Sequence, residues 1–139
     1  MRLGVIGGTG SAGLFPAGAP VALPAVQPWG PASSAPARSV LDGHEVIFLP
    51  RHGAADAPGI PPHRVNYRAN LWVLRELGVD HVIAINAVGG IAPAAVPGRL
   101  VIPDQLIDYT WGREHTFTGD SRFPLLHVDT TWKFKAMYE

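Results

Sequence analysis

Val46-Ile47-Phe48-Leu49-Pro50-Arg51-His52-Gly53 is an unbroken apolar run that stops abruptly in a proline, two potentially cationic donors and a glycine. Four large apolar residues in succession, without polar alternation, read as a strand buried on both faces. Arg51 offers a planar fork of donors that fits phosphate or carboxylate, and His52 adds one more. In an open α/β sheet, ligands sit beyond the carboxyl ends of the strands. Arg51 and His52 are therefore placed where an anion would be held.

After Gly53, Asp56 to Pro62 form an extended or flexible loop, a candidate lid over a ligand. Asn66 is an N-cap for a helix over Tyr67 to Leu77, and Gly78 is its stop. Tyr67, Leu71, Leu74 and Leu77 fall on one face of that helix. His63, Arg64 and Arg68 are simplest as solvated or loop-bracing residues. Before the run, Ser39 to Leu41, Asp42-Gly43 and Glu45 to Leu49 make a hairpin.

Leu3 to Ile6 reads as an inner strand emptying into Gly7-Gly8-Thr9-Gly10-Ser11-Ala12-Gly13. Such loops bring backbone N–H groups close to phosphate, with a hydroxyl as a further donor. The spacing of Gly7, Gly10 and Gly13 also fits a dinucleotide fingerprint. That reading needs a helix directly after the last glycine, and Pro16, Gly18 and Pro20 leave no room for one. A purely structural glycine turn stays open. Val79 to Ile85 is the strongest strand candidate and ends in Asn86-Ala87-Val88-Gly89-Gly90. The helix over 67–77 then serves as a crossover between this strand and the hairpin.

Elsewhere the signals are weaker. Val21 to Val26 is a candidate edge strand, and Gln27 to Pro31 a turn. Leu100 to Ile102 is a further short strand, and Gln105 to Tyr109 is apolar enough to pack. A polar loop follows over Thr110 to Phe117. The tail from Thr130 to Glu139 has no clear helical period. Ser11, Ser33, Ser34, Ser39 and Ser121 suit turns, and no nucleophile elbow is present.

The bulk numbers narrow the class. At 139 residues the chain suits one domain with a real core. A formal net charge of +0 gives no argument for nucleic acid or an anionic membrane as partner. The absence of cysteine excludes disulfides and thiolate metal sites. No His/Asp/Glu triplet at ligand spacing points to a metal. No apolar run is long enough to cross a bilayer, and the start is no signal peptide, so a soluble cytoplasmic protein is expected.

Three strand ends thus carry anion-friendly chemistry: Thr9 with its glycines, Arg51 with His52, and Asn86 with Ala87. One sheet could gather all three around a single phosphate.

The colinear tracts Val-Ile-Gly-Gly-Thr-Gly, Pro-Arg-His-Gly, Pro-Pro-His-Arg-Val-Asn-Tyr-Arg-Ala-Asn, Asn-Ala-Val-Gly-Gly-Ile and Asp-Gln-Leu-Ile-Asp-Tyr-Thr resemble the purine nucleoside phosphorylase family. The resemblance spans residues 3 to 129. It is greatest to the S-methyl-5′-thioinosine and methylthioadenosine phosphorylases, with Asn86 to Ile91 and Gly112 to Phe117 most like the thioinosine members. It implies an α/β fold with a mixed central sheet flanked by helices, here the N-terminal half, in a single domain over 1–139. The implied reaction is phosphorolysis of a purine nucleoside to free base and pentose 1-phosphate in purine salvage. Inorganic phosphate is then a co-substrate, with no other cofactor and no metal, and the assembly is a homotrimer.

Carried over by position, Thr9, Arg51, His52, Asn86 and Ala87 match phosphate contacts. His127 matches a residue that reaches the nucleoside across a subunit interface. Asn86 replaces a hydroxyl residue of many relatives, and Gly53-Ala54-Ala55-Asp56 lacks a histidine that many carry there. Family subunits are about twice this length, which implies a truncated or frameshifted frame with little activity of its own. No catalytic residue is assigned, because the purine-reading carboxylate or amide and a Met-Thr pair normally lie further on. The alternatives are a general 6-oxopurine nucleoside phosphorylase and an inactive phosphate-binding remnant.

Overall fold

The computed structural model describes residues 1–139 except 9, 12, 14, 16, 17, 115, 120, 124 and 126–139. The chain divides into two units, Met1–Ala87 and Val88–Glu139. In the first, a five-stranded mixed sheet is built from β1 (Arg2–Gly7), β2 (Ala19–Pro20), β3 (Ala37–Leu41), β4 (His44–Pro50) and β5 (His81–Ala84), in the order β2-β3-β4-β1-β5. β1 pairs in parallel with both β4 and β5, whereas β2–β3 and β3–β4 are antiparallel. The helix α1 (Tyr67–Glu76) makes the crossover from β4 to β5.

The apolar run behaves as expected. Val46, Ile47, Phe48 and Leu49 are all buried. Alternation splits them between the two faces: Val46 and Phe48 cluster with Val5, and Ile47 and Leu49 cluster with Leu74 of the helix. The Asp42-Gly43 turn has φ of 48° and 77° at its two residues, the pair of positive values that a two-residue hairpin requires. At the helix, Asn66 Oδ1 accepts from the Ala69 N–H at 3.2 Å, and Gly78 adopts φ 71° beyond the last turn.

Four expectations need correction. The buried helix face is Ala69, Asn70, Val73 and Leu74, and Leu71 is 40% exposed. On that face Leu74 packs against Ile47 and Leu49 of β4. The edge strand is Ala19–Pro20 rather than Val21 to Val26. After Val21, whose N–H bonds the Pro36 carbonyl at 2.8 Å, Pro24 has no N–H to continue a ladder. Leu100 to Ile102 forms no strand, and Gln105 to Tyr109 is exposed. Neither segment pairs with a strand among the described residues, and a ladder needs a partner.

The second unit has bends and turns over its described residues, with no helix or strand among them. The expectation for the tail lies outside the described residues. Among the described residues no helix is long and apolar enough to cross a membrane.

Candidate functional site

Parallel pairing of β4, β1 and β5 brings their carboxyl ends to one edge. The register sets Gly7 opposite Pro50 and Ile6 opposite Ala84. Arg51 lies across that edge. Its backbone N–H donates to the Gly7 carbonyl at 3.0 Å, and its Nη1 donates to the Ile85 carbonyl at 2.7 Å. The guanidinium also covers Gly8: a Cβ there would stand 2.5 Å from Arg51 Nη2, so a side chain at this position would displace the guanidinium from its present place. Among the described residues no carboxylate pairs with Arg51; the ion pairs there join Glu45 to Arg2 and Arg38. Arg51 is thus a half-buried cation that bridges three strand ends and remains unneutralised by them.

His52 follows with a fixed ring. Its Nδ1 lies 2.7 Å from the Ile60 carbonyl, which can only accept, so the Nδ1 atom carries a proton. Nε2 is left to accept when the ring is neutral and to donate when it is charged. The Ile60 N–H returns a bond to the His52 carbonyl at 2.8 Å, which pins the loop after Gly53 against the strand end.

The glycine-rich turn is closed by Ser11, whose Oγ donates to the Gly8 carbonyl at 2.7 Å. Gly8 and Gly10 border a cavity of about 490 Å³, with Phe48, His52 and the loop over Gly53 to Gly59 on its other sides. Its wall is largely apolar, and Phe15 stacks on Phe48 with ring centroids 4.8 Å apart. No α-helix follows the turn among the described residues, as the dinucleotide fingerprint would require.

Asn86 and Ala87 are exposed and come directly after the Ile85 carbonyl that Arg51 holds. Thr9 and His127 lie outside the described residues. The structure therefore joins Arg51, His52 and the chain leading into Asn86 and Ala87 at one sheet edge.

Sequence reasoning missed the support behind this edge. Ser34 Oγ donates to the Pro50 carbonyl at 3.1 Å, and the buried Asn70 pairs with Ser33. The available signal was Asn70, an amide four residues after the Asn66 cap on the same helical face.

The family model described as the phosphorylase superfamily matches residues 2–136. The chain belongs to that superfamily. A probable S-methyl-5′-thioinosine phosphorylase from Pseudomonas syringae pv. tomato is 42% identical over 130 residues, covering 94% of this chain and 52% of the relative. A probable 6-oxopurine nucleoside phosphorylase from Dictyoglomus turgidum is 40% identical over 131 residues, covering 94% and 48%. A crystal structure of a mutant adenosine/methylthioadenosine phosphorylase from Schistosoma mansoni, in complex with methylthioadenosine, superposes with a TM-score of 0.77 at 38% identity. It covers 93% of this chain and 46% of the other. The chain spans about half the length of the curated relatives it matches. The family and the nucleoside phosphorylase-like mixed sheet expected from the sequence are both borne out.

Proposed function

We propose that this chain carries the phosphate side of a purine nucleoside phosphorylase acting on S-methyl-5′-thioinosine or S-methyl-5′-thioadenosine. The observation that carries the reading is Arg51: a guanidinium without a carboxylate partner among the described residues, held across three parallel strand ends. Thr9, His52, Asn86 and Ala87 complete the phosphate shell. His127 reaches the nucleoside of a neighbouring subunit in a homotrimer. The superfamily match and the relatives' names support this assignment. Residues 1–139 belong to one phosphorylase domain, with phosphate as co-substrate and no other cofactor, in a cytoplasmic purine-salvage enzyme with no nucleic-acid or membrane partner.

The chemistry follows from charge. As the glycosidic bond between C1′ and the purine nitrogen breaks, its electron pair leaves with the base and the sugar becomes oxocarbenium-like. A phosphate oxygen held beside C1′ stabilises that cation and then bonds to it, giving the pentose 1-phosphate. The leaving base takes up a proton. Arg51 and the backbone donors act by positioning and electrostatic preorganisation.

Calorimetric titration of the 139-residue chain with inorganic phosphate tests the reading. Arg51→Ala should weaken phosphate binding by roughly tenfold to a hundredfold, since a charge-assisted bond contributes about 1.5–3 kcal/mol. Arg51→Lys should recover only part, because an ammonium lacks the planar fork. An Arg51→Ala chain with lowered Tm and unchanged phosphate affinity would make Arg51 a brace and sink the proposal. Phosphate-dependent base release from methylthioinosine, methylthioadenosine and inosine, compared in parallel, then sets the substrate. Release from inosine above the methylthio nucleosides would favour a general 6-oxopurine enzyme. Phosphate binding without any release would leave a phosphate-binding remnant.

A further inference from the structure

Helix α1 and the loop over residues 29–34 form a continuous hydrogen-bonded support that ends at the phosphate-side strand edge. The amide of Asn70, only 2% exposed, accepts from the Ser33 N–H at 2.8 Å and donates to Ser33 Oγ at 2.9 Å. One turn earlier, Asn66 Nδ2 donates to the carbonyls of Trp29 at 2.8 Å and Pro31 at 3.2 Å. The Arg68 guanidinium lies 4.6 Å from the centroid of the Trp29 ring. The loop is therefore gripped along its length by the first turns of one helix. Its last serine, Ser34, gives its hydroxyl to the Pro50 carbonyl at 3.1 Å.

That carbonyl belongs to the same peptide unit as the Arg51 N–H, which bonds Gly7. A peptide is planar, so holding its oxygen and its N–H fixes the plane as a whole. The fixed plane anchors the Arg51 Cα, and the Nη1 bond to the Ile85 carbonyl holds the far end of the side chain, so the two together set its course. We propose that Ser34 is a positioning residue for Arg51, and that Asn70 and Ser33 hold Ser34 in place for that task. The consequence for phosphate rests on the function proposed above. The orientation of Arg51 does not.

A guanidinium whose backbone is fixed in advance needs less ordering when the anion arrives. Ser34 is half-buried in a loop, so removal of its hydroxyl leaves the sheet intact. Amide hydrogen exchange and phosphate calorimetry on the 139-residue chain, as wild type, Ser34→Ala and Ser34→Thr, test the assignment. Ser34→Ala should speed exchange at Arg51 while the α1 amides keep their protection. It should also weaken phosphate binding about three- to tenfold, the range for one neutral hydrogen bond. Ser34→Thr, which keeps the hydroxyl, should restore both. Unchanged exchange at Arg51 overturns the proposal. So does faster exchange spread evenly over the sheet with phosphate affinity intact, which marks a merely structural serine. A selective effect at Arg51 in a chain that binds no phosphate upholds the positioning and defeats the phosphate reading instead.

Discussion

Residues 1–87 and the described residues beyond them differ in what their apolar side chains meet. In the first, Ile47 and Leu49 have no exposure at all, because β1 and β3 flank β4 and α1 covers one face. In the second, Ile91 is fully exposed, Trp111 is 87% exposed, and no described residue after Ala87 is buried. Both stretches carry Ile, Leu and Val in runs that read as strands. A run becomes a core strand only where neighbours accept its backbone ladder and an opposing face covers its side chains.

The largest expected effect is a direct test of that contrast. Leu49→Ala should cost about 2–5 kcal/mol of stability, since the cavity it leaves lies between the sheet and Leu74. Leu100→Ala, made at an 84% exposed site, should stay within about 0.5 kcal/mol. Urea denaturation of the two variants measures both. Equal losses would mean that Leu100 is covered in solution and would break the comparison.

The same contrast explains which parts of the sequence were legible. Val46 to Leu49 could be read because their local pattern and their tertiary surroundings agree. The Asp42-Gly43 turn and the Asn66 cap are settled by residues within a few positions, so they were legible too. Leu100 to Ile102 failed because strand formation depends on a partner, which no short window reveals. The helix face failed for a related reason. Leucine periodicity points to Leu71, whereas the buried face is Ala69, Asn70, Val73 and Leu74, with the Asn70 amide bonded to Ser33 of a distant loop. At the candidate site, the place of Arg51 and His52 at a strand end could be read from the buried run before them. Ser34 could not, because its partner Pro50 is 16 residues away in the chain.

A smaller loss is expected at Asn70, where a polar group lies within the well-packed region. Asn70→Ala would leave the Ser33 N–H without its present acceptor at a part-buried site, at a cost of about 1–3 kcal/mol. Asn70→Asp keeps the acceptor but loses the donor to Ser33 Oγ and should fall between Ala and wild type. A Tm for Asn70→Ala equal to wild type would show that water replaces the amide. The inner region would then be less closed than its aliphatic core implies.

The smallest effect is expected at the amino ends of the parallel strands, opposite the edge that carries Arg51. There Asp80 Oδ2 accepts from the Arg2 N–H at 2.7 Å, and the Asp80 N–H donates to the Arg2 carbonyl at 2.9 Å. Asp80 is exposed, yet its pKa is held below the ordinary value of 3.8. The Arg2 backbone bond is the main cause; the chain N-terminus, His81 and the Arg2 charge assist, and desolvation opposes them. A depressed carboxylate pKa means that the folded state binds its proton less readily than the unfolded state does. The stabilisation is therefore complete above the unfolded pKa, near 3.8, and is lost as pH falls through the lower folded value. Asp80→Ala should lower Tm slightly at neutral pH, with the gap from wild type narrowing as pH drops below 3.8. Asp80→Asn keeps an acceptor without the charge and should lie between the two. A gap that stays constant down to strong acid would show that the carboxylate charge contributes nothing at this end of the sheet.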